Sequence, residues 1–113
     1  MRAPPYVPAR GDLVWLSFAA QVGHEHAGQR PAVIVSPAEY NRKVGLCLCC
    51  PVTRRVKGYP FELELPQGLE VTGAVLCDQV KSVDWKARNA RRIASLPAVT
   101  VREVQARILV LIQ

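Results

Sequence analysis

Apolar positions along the chain fall into short clusters separated by prolines, glycines and charged turns. LVWLSF (13–18) follows a proline-rich lead-in that ends at Gly11 and Asp12, and its β-branched and aromatic content predicts a strand. From Pro31, AVIVS (32–36) is a nearly continuous apolar run bounded by prolines at 31 and 37, the pattern of a strand buried on both faces. AEYNRK (38–43) predicts one helical turn before Gly45, and LCLCCPV (46–52) a third strand. In FELEL (61–65) the alternation is clean: Phe61, Leu63 and Leu65 face one way, Glu62 and Glu64 the other. AVLCDQVKSV (74–83) predicts one strand whose far end turns polar, and ARRIASL (90–96) a short last strand.

The tail changes period. Thr100, with Glu103 three residues on, forms a capping-box pattern, and Val101, Val104, Ile108 and Leu111 then recur at helical spacing. One amphipathic helix is expected to close the chain. Five or six short strands and a terminal helix predict a mainly β fold, a small, strongly curved antiparallel barrel, because consecutive hairpins otherwise leave their edges open.

At 113 residues the chain suffices for one core, so a single domain over 1–113 is expected. No apolar run approaches the length of a membrane span, and the N-terminus lacks an apolar stretch of signal-peptide length, so the expected location is cytoplasmic and no membrane partner is expected. Three of the four cysteines sit at 47, 49 and 50 in one predicted strand. Residues two apart there are separated by roughly 6.5 Å, a poor separation for a disulfide. Paired zinc-ligand spacings are absent, so no metal is expected and buried, reduced cysteines are the favoured reading.

Charge changes the picture more. Fifteen Lys and Arg against nine Asp and Glu leave a net +6 and a pI near 9.6. This favours an anionic partner, nucleic acid or an acidic protein, although a basic surface that merely confers solubility fits the same number. The segment GHEHAGQRPAVIVS (23–36) crowds polar and ionisable side chains into a loop that runs straight into a rigid strand, the way a reactive loop is delivered onto a support.

Four segments, PARGDLVWLSF, GHEHAGQRPAVIVSP, CPVTRRVKGYPFEL and GAVLCDQVKSVDW, jointly resemble the MazF/PemK (Kid) toxins of bacterial type II toxin–antitoxin pairs, over nearly the whole chain and in the same order. The resemblance implies an SH3-like barrel of the CcdB/PemK type, a homodimer, and a sequence-specific endoribonuclease, an mRNA interferase, that cleaves single-stranded RNA with no metal or cofactor. It also implies neutralisation by a MazE-like antitoxin with an acidic, flexible C-terminal segment. Metal-free RNA cleavage uses the adjacent 2′-hydroxyl as nucleophile and leaves a 2′,3′-cyclic phosphate and a 5′-hydroxyl. It requires a proton acceptor, stabilisation of the phosphorane and a proton for the departing 5′-oxygen.

By that resemblance Arg30 is the catalytic arginine, its permanently charged planar fork suited to two phosphate oxygens. Thr53 matches the catalytic Thr or Ser of the family; taken alone, a threonine at a strand end is usually a turn residue. Glu25, the only carboxylate of the opening loop, is a base or an orienting partner for Arg30, or else a solvated loop glutamate. His24 and His26 flank it, either as acid/base groups or as exposed or RNA-contacting side chains. Arg54, Arg55 and Lys57 are placed for backbone phosphates. Tyr59 suits base stacking or packing against Pro60 and Phe61. Gln79 suits a base edge, and Lys81 a phosphate or an antitoxin carboxylate. Gln29 replaces the basic or aromatic residue common before the arginine, which bears on cleavage specificity. Two other functions remain in view. A gyrase-poisoning toxin of the CcdB type shares the fold but uses a C-terminal Trp-Gly-Ile, where this chain ends Leu-Ile-Gln; a non-catalytic nucleic-acid-binding barrel needs only the basic loop.

Overall fold

A computed structural model describes residues 5–18 and 28–113. In chain order the elements are β1 (Asp12–Ser17), β2 (Gln29–Ile34), α1 (Ala38–Val44), β3 (Cys47–Thr53), β4 (Glu62–Glu64), β5 (Ala74–Leu76), β6 (Lys81–Val83), β7 (Arg91–Ser95) and α2 (Ala98–Ile112). Every recorded strand pair is antiparallel. The sheet runs β4-β5-β3-β2-β1-β7, with β6 also paired to β3, so the protein is mainly β with a C-terminal helix. It is an SH3-like barrel left open: β4 and β7 end the strand order and do not pair with each other.

The central strands are apolar on both faces because both faces are covered. Leu13, Val33, Cys50 and Val75 point into one core with Leu65, Val71 and Val104; Val14, Leu16, Ala32, Ile34, Cys47 and Cys49 point into the other with Val83 and Trp85. Val101, Val104 and Ile108 of α2 cover the first core, while Tyr6 and Val7 of the lead-in help cover the second. Fully excluding a Leu or Val side chain contributes about 1.5–3 kcal/mol each, and Leu13, Val14, Leu16 and Val33 are all fully excluded. All four cysteines are buried and unpaired.

α1 and the lead-in are tied by one residue. Asn41 is fully buried; its amide donates to the carbonyls of Pro8 (2.8 Å) and Ser36 (3.0 Å), its side-chain oxygen accepts from the Ser36 hydroxyl (2.6 Å), and its backbone carbonyl accepts from the Trp85 indole (2.9 Å). Gly45 ends the helix at φ +82°, where its N–H returns to the Asn41 carbonyl.

Three expectations are corrected. The run 74–83 is two strands, because β5 pairs with the end of β3 (Val75↔Val52) and β6 with its start (Lys81↔Cys49). Val75 and Lys81 lie six positions apart while their partners lie three apart, so three residues are extruded into a turn closed by Gln79 N–H to Leu76 C=O. Thr100 is not a helix cap. α2 begins two residues earlier, Pro97 takes the cap position with extended ψ, and Thr100 is buried in the first turn. Leu111 lies beyond the part of α2 that packs and is 49 % exposed.

Candidate active site

β2 opens with Gln29, Arg30 and Pro31, and the proline ring removes backbone freedom immediately after the arginine. The β2–β3 ladder pairs Ala32 with Pro51. The ladder ends at that pair; Arg30 lies two residues before Ala32 on β2, and Thr53 two residues after Pro51 at the end of β3. Both residues line one open cleft of about 680 Å³, together with Arg54 and Arg55 from the segment after β3 and Gln79 and Lys81 from the turn and start of β6. Trp15, Pro31, Pro51, Val52 and Leu76 supply apolar walls.

Thr53 is set for one job by its neighbours. Its side-chain oxygen accepts the Arg55 backbone N–H at 3.1 Å, which leaves the hydroxyl hydrogen to be donated into the cleft. Gly73 lies against its backbone: a Cβ there would meet the Thr53 carbonyl oxygen at 2.2 Å. The basic segment beyond is held at its far end, where Glu62 Oε1 accepts the N–H groups of Lys57 and Gly58, both at 2.8 Å. Tyr59 donates its hydroxyl to Asp78 (2.9 Å), a bond that raises its pKa and ties this segment to the turn carrying Gln79. Lys81 Nζ lies 5.3 Å from the centroid of the Phe18 ring and the Arg88 guanidinium 4.8 Å from the same ring.

Four cationic side chains, Arg30, Arg54, Arg55 and Lys81, face the cleft, and among the described residues no carboxylate lines it. Such a site attracts a polyanion and presents it with N–H and O–H donors. Of the residues expected from sequence, Arg30, Thr53, Arg54, Gln79 and Lys81 are brought together. Lys57 is not among the described cleft-lining residues, and its backbone N–H is held by Glu62. Glu25, His24 and His26 lie outside the described residues. Trp15, read from sequence only as a strand residue, is also a cleft wall; its period-2 position gave no hint, since alternation tells which face it occupies and not where the sheet opens.

Residues 9–112 match the family model described as PemK-like, MazF-like toxin of type II toxin-antitoxin system. The chain belongs to this family. It is 49 % identical over 107 residues to the endoribonuclease toxin MazF of Escherichia coli strain K12, covering 95 % of this chain and 96 % of that one. It is 36 % identical to the Escherichia coli endoribonuclease PemK, over 88 % and 77 % of the two chains. The fold superimposes on the crystal structure of a MazE–MazF complex from Deinococcus radiodurans with a TM-score of 0.86 and 46 % identity, over 96 % and 97 % of the two chains. Like these curated relatives, this toxin is an endoribonuclease. Among its described residues no helix is long and apolar enough to cross a membrane.

Proposed function

We propose that the protein cuts single-stranded RNA at a short sequence, without a metal ion, by attack of the 2′-hydroxyl on the adjacent phosphorus. The observation that supports this reading is the placement of Arg30 and Thr53 in one cleft with three further cations and, among the described residues, no carboxylate. In the step, a base takes the 2′-hydroxyl proton, the 2′-oxygen bonds to phosphorus, and the bond to the 5′-oxygen breaks as that oxygen receives a proton. A 2′,3′-cyclic phosphate and a 5′-hydroxyl remain. Arg30 bridges two phosphate oxygens and Thr53 donates its hydroxyl hydrogen to a nonbridging oxygen, both strongest when the phosphorane carries its extra charge. Glu25, from the loop before Arg30, takes the proton or orients Arg30, and His24 contacts the RNA; both precede β2 in the sequence and lie outside the described residues. Arg54 and Lys81 hold neighbouring phosphates, Lys57 adds long-range attraction, and Gln79 reads a base edge.

The same cleft suits the acidic tail of an antitoxin, as in a MazE–MazF assembly, and inhibition is then occlusion. A homodimer accords with an apolar groove lined by Val35, Leu48, Val80, Ile108 and Leu109, in which Leu48 is 40 % and Leu109 48 % exposed. Val80 of that groove lies between the cleft residues Gln79 and Lys81, so a second copy seated there would buttress the site.

The test is cleavage of a long unstructured transcript in EDTA with chemical mapping of the ends. Cyclic phosphates and 5′-hydroxyls are expected. Arg30→Ala is expected to lose at least about 10² in rate, the scale of one preorganised donor, with unchanged thermal unfolding. Undiminished cutting by that variant, or an absolute need for added divalent metal, overturns the reading.

A further inference from the structure

Arg91 lies outside the cleft-lining set yet stands at its edge. Its Cα partner across the β1–β7 ladder is Trp15, which walls the cleft, and its Nη2 donates to Oε1 of Gln29, another cleft residue, at 3.4 Å. Directly opposite residues share a face of the sheet, so Arg91 continues the Trp15 side of the site. The side chain is exposed, and among the described residues its one side-chain hydrogen bond is the long one to Gln29. Among the described residues the ion pair present is Arg107 with Glu103, on α2, so no described carboxylate neutralises Arg91.

Strand order supplies the distance. Thr53 and Arg30 sit on β3 and β2; β1 and then β7 follow. Two strand spacings, roughly 10 Å, separate the backbone of β2 from that of β7. Arg91 pairs with Trp15 and Arg30 with Leu16, successive residues of β1 that point to opposite faces of the sheet, so Arg91 does not share the phosphate that Arg30 and Thr53 grip. An RNA chain longer than the cleft must leave over its rims; Arg54 and Arg55 follow β3 on one side, and the opposite rim, beyond β1, carries Arg91.

We propose that Arg91 forms a subsite for a backbone phosphate of the RNA strand outside the cleaved step, at the β7 rim of the cleft. The inference rests on the RNA-cleaving reading and extends it: Arg91 adds affinity for long single strands without touching the reacting phosphate. Its neighbour Gln29, held by the guanidinium, presents its amide N–H groups beside that phosphate.

The experiment compares wild type, Arg91→Gln and Arg91→Lys on two RNAs centred on the mapped cut, one trimmed to the two nucleotides that flank the scissile phosphate and one of about fifteen nucleotides, a length within single-strand site sizes. On the long RNA Arg91→Gln is expected to raise KM roughly three- to tenfold, to leave kcat alone, and to flatten the slope of log KM against log salt by about one unit, the signature of one lost phosphate contact. Arg91→Lys should recover most of the KM and the slope. The short RNA, which does not reach β7, should keep its wild-type KM in all three. Equal losses on both RNAs, an unchanged long-RNA KM and salt slope, or a fall in kcat would each overturn the proposal. Should wild type cut nothing, the proposed function fails on its own; fluorescence anisotropy of a random-sequence single strand of about fifteen nucleotides then still decides Arg91, by whether its replacement flattens the salt slope of binding.

Discussion

Replacing Gly73 by alanine should disable the enzyme through Thr53 while leaving it folded. At Gly73 the backbone has φ +133°, a region closed to side chains without strain. The added Cβ would lie 2.2 Å from the Thr53 carbonyl oxygen, 3.0 Å from its carbonyl carbon and 3.4 Å from the Arg54 Cα, all main-chain atoms that cannot rotate away. Ordinary contact begins at 3.4 Å, so Thr53 on β3 and Gly73, the residue before β5, must separate by 1.2 Å beside the point where Thr53 pairs with Ala74. A displacement near 1 Å at a catalytic group costs about 10² in rate. The backbone strain costs about 1–3 kcal/mol, which a domain stable by about 5–15 kcal/mol survives. Gly68→Ala is the control: φ there is +90°, but nothing lies within 4 Å of the new Cβ, so it carries strain without displacement. Urea unfolding and single-turnover cleavage of the mapped RNA should show both variants destabilised and only Gly73→Ala slowed about 10²-fold. Equal cleavage rates for the two folded variants would refute the claim that Gly73 keeps Thr53 in place.

Two further predictions concern stability. Asn41→Ala strands the carbonyls of Pro8 and Ser36 and the Ser36 hydroxyl inside the fold; a loss of roughly 3 kcal/mol is expected, read as a fall in the urea midpoint, and a change below about 0.5 kcal/mol would remove this network from the account. Burial pushes the thiols of Cys50 up to about 12 and Cys77 up to about 11, from an ordinary 9.0. Between pH 9 and those values the folded chain holds protons that the unfolded chain releases, so stability is full below pH 9 and falls as pH rises toward about 11 and 12. Urea midpoints measured from pH 8 to pH 11 should decline; a rising midpoint would contradict the burial of both thiols. The same burial predicts alkylation of all four cysteines only on unfolding.

Much of this protein is legible in its sequence because its signals are local. Two-sided burial of 13–16 and 32–35 shows as unbroken apolar runs, the Gly45 stop of α1 needs only a left-handed residue, and the helical spacing of Val101, Val104 and Ile108 reports the face α2 buries. The family motifs likewise locate Arg30, Thr53, Gln79 and Lys81 without a structure. What the sequence could not contain was register. That Arg30 and Thr53 reach one cleft depends on which residue of β2 meets which of β3, and a slip of one would turn every side chain over. The break of 74–83 into β5 and β6 also arises between strands, since β3 offers its edge to both and three residues must be expelled from the ladder. The close approach of Gly73 to Thr53 and of Arg91 to Gln29 joins positions 20 and 62 residues apart. Periodicity describes the neighbours a residue has along the chain; the cleft is made of neighbours across it, and only the packed sheet decides those.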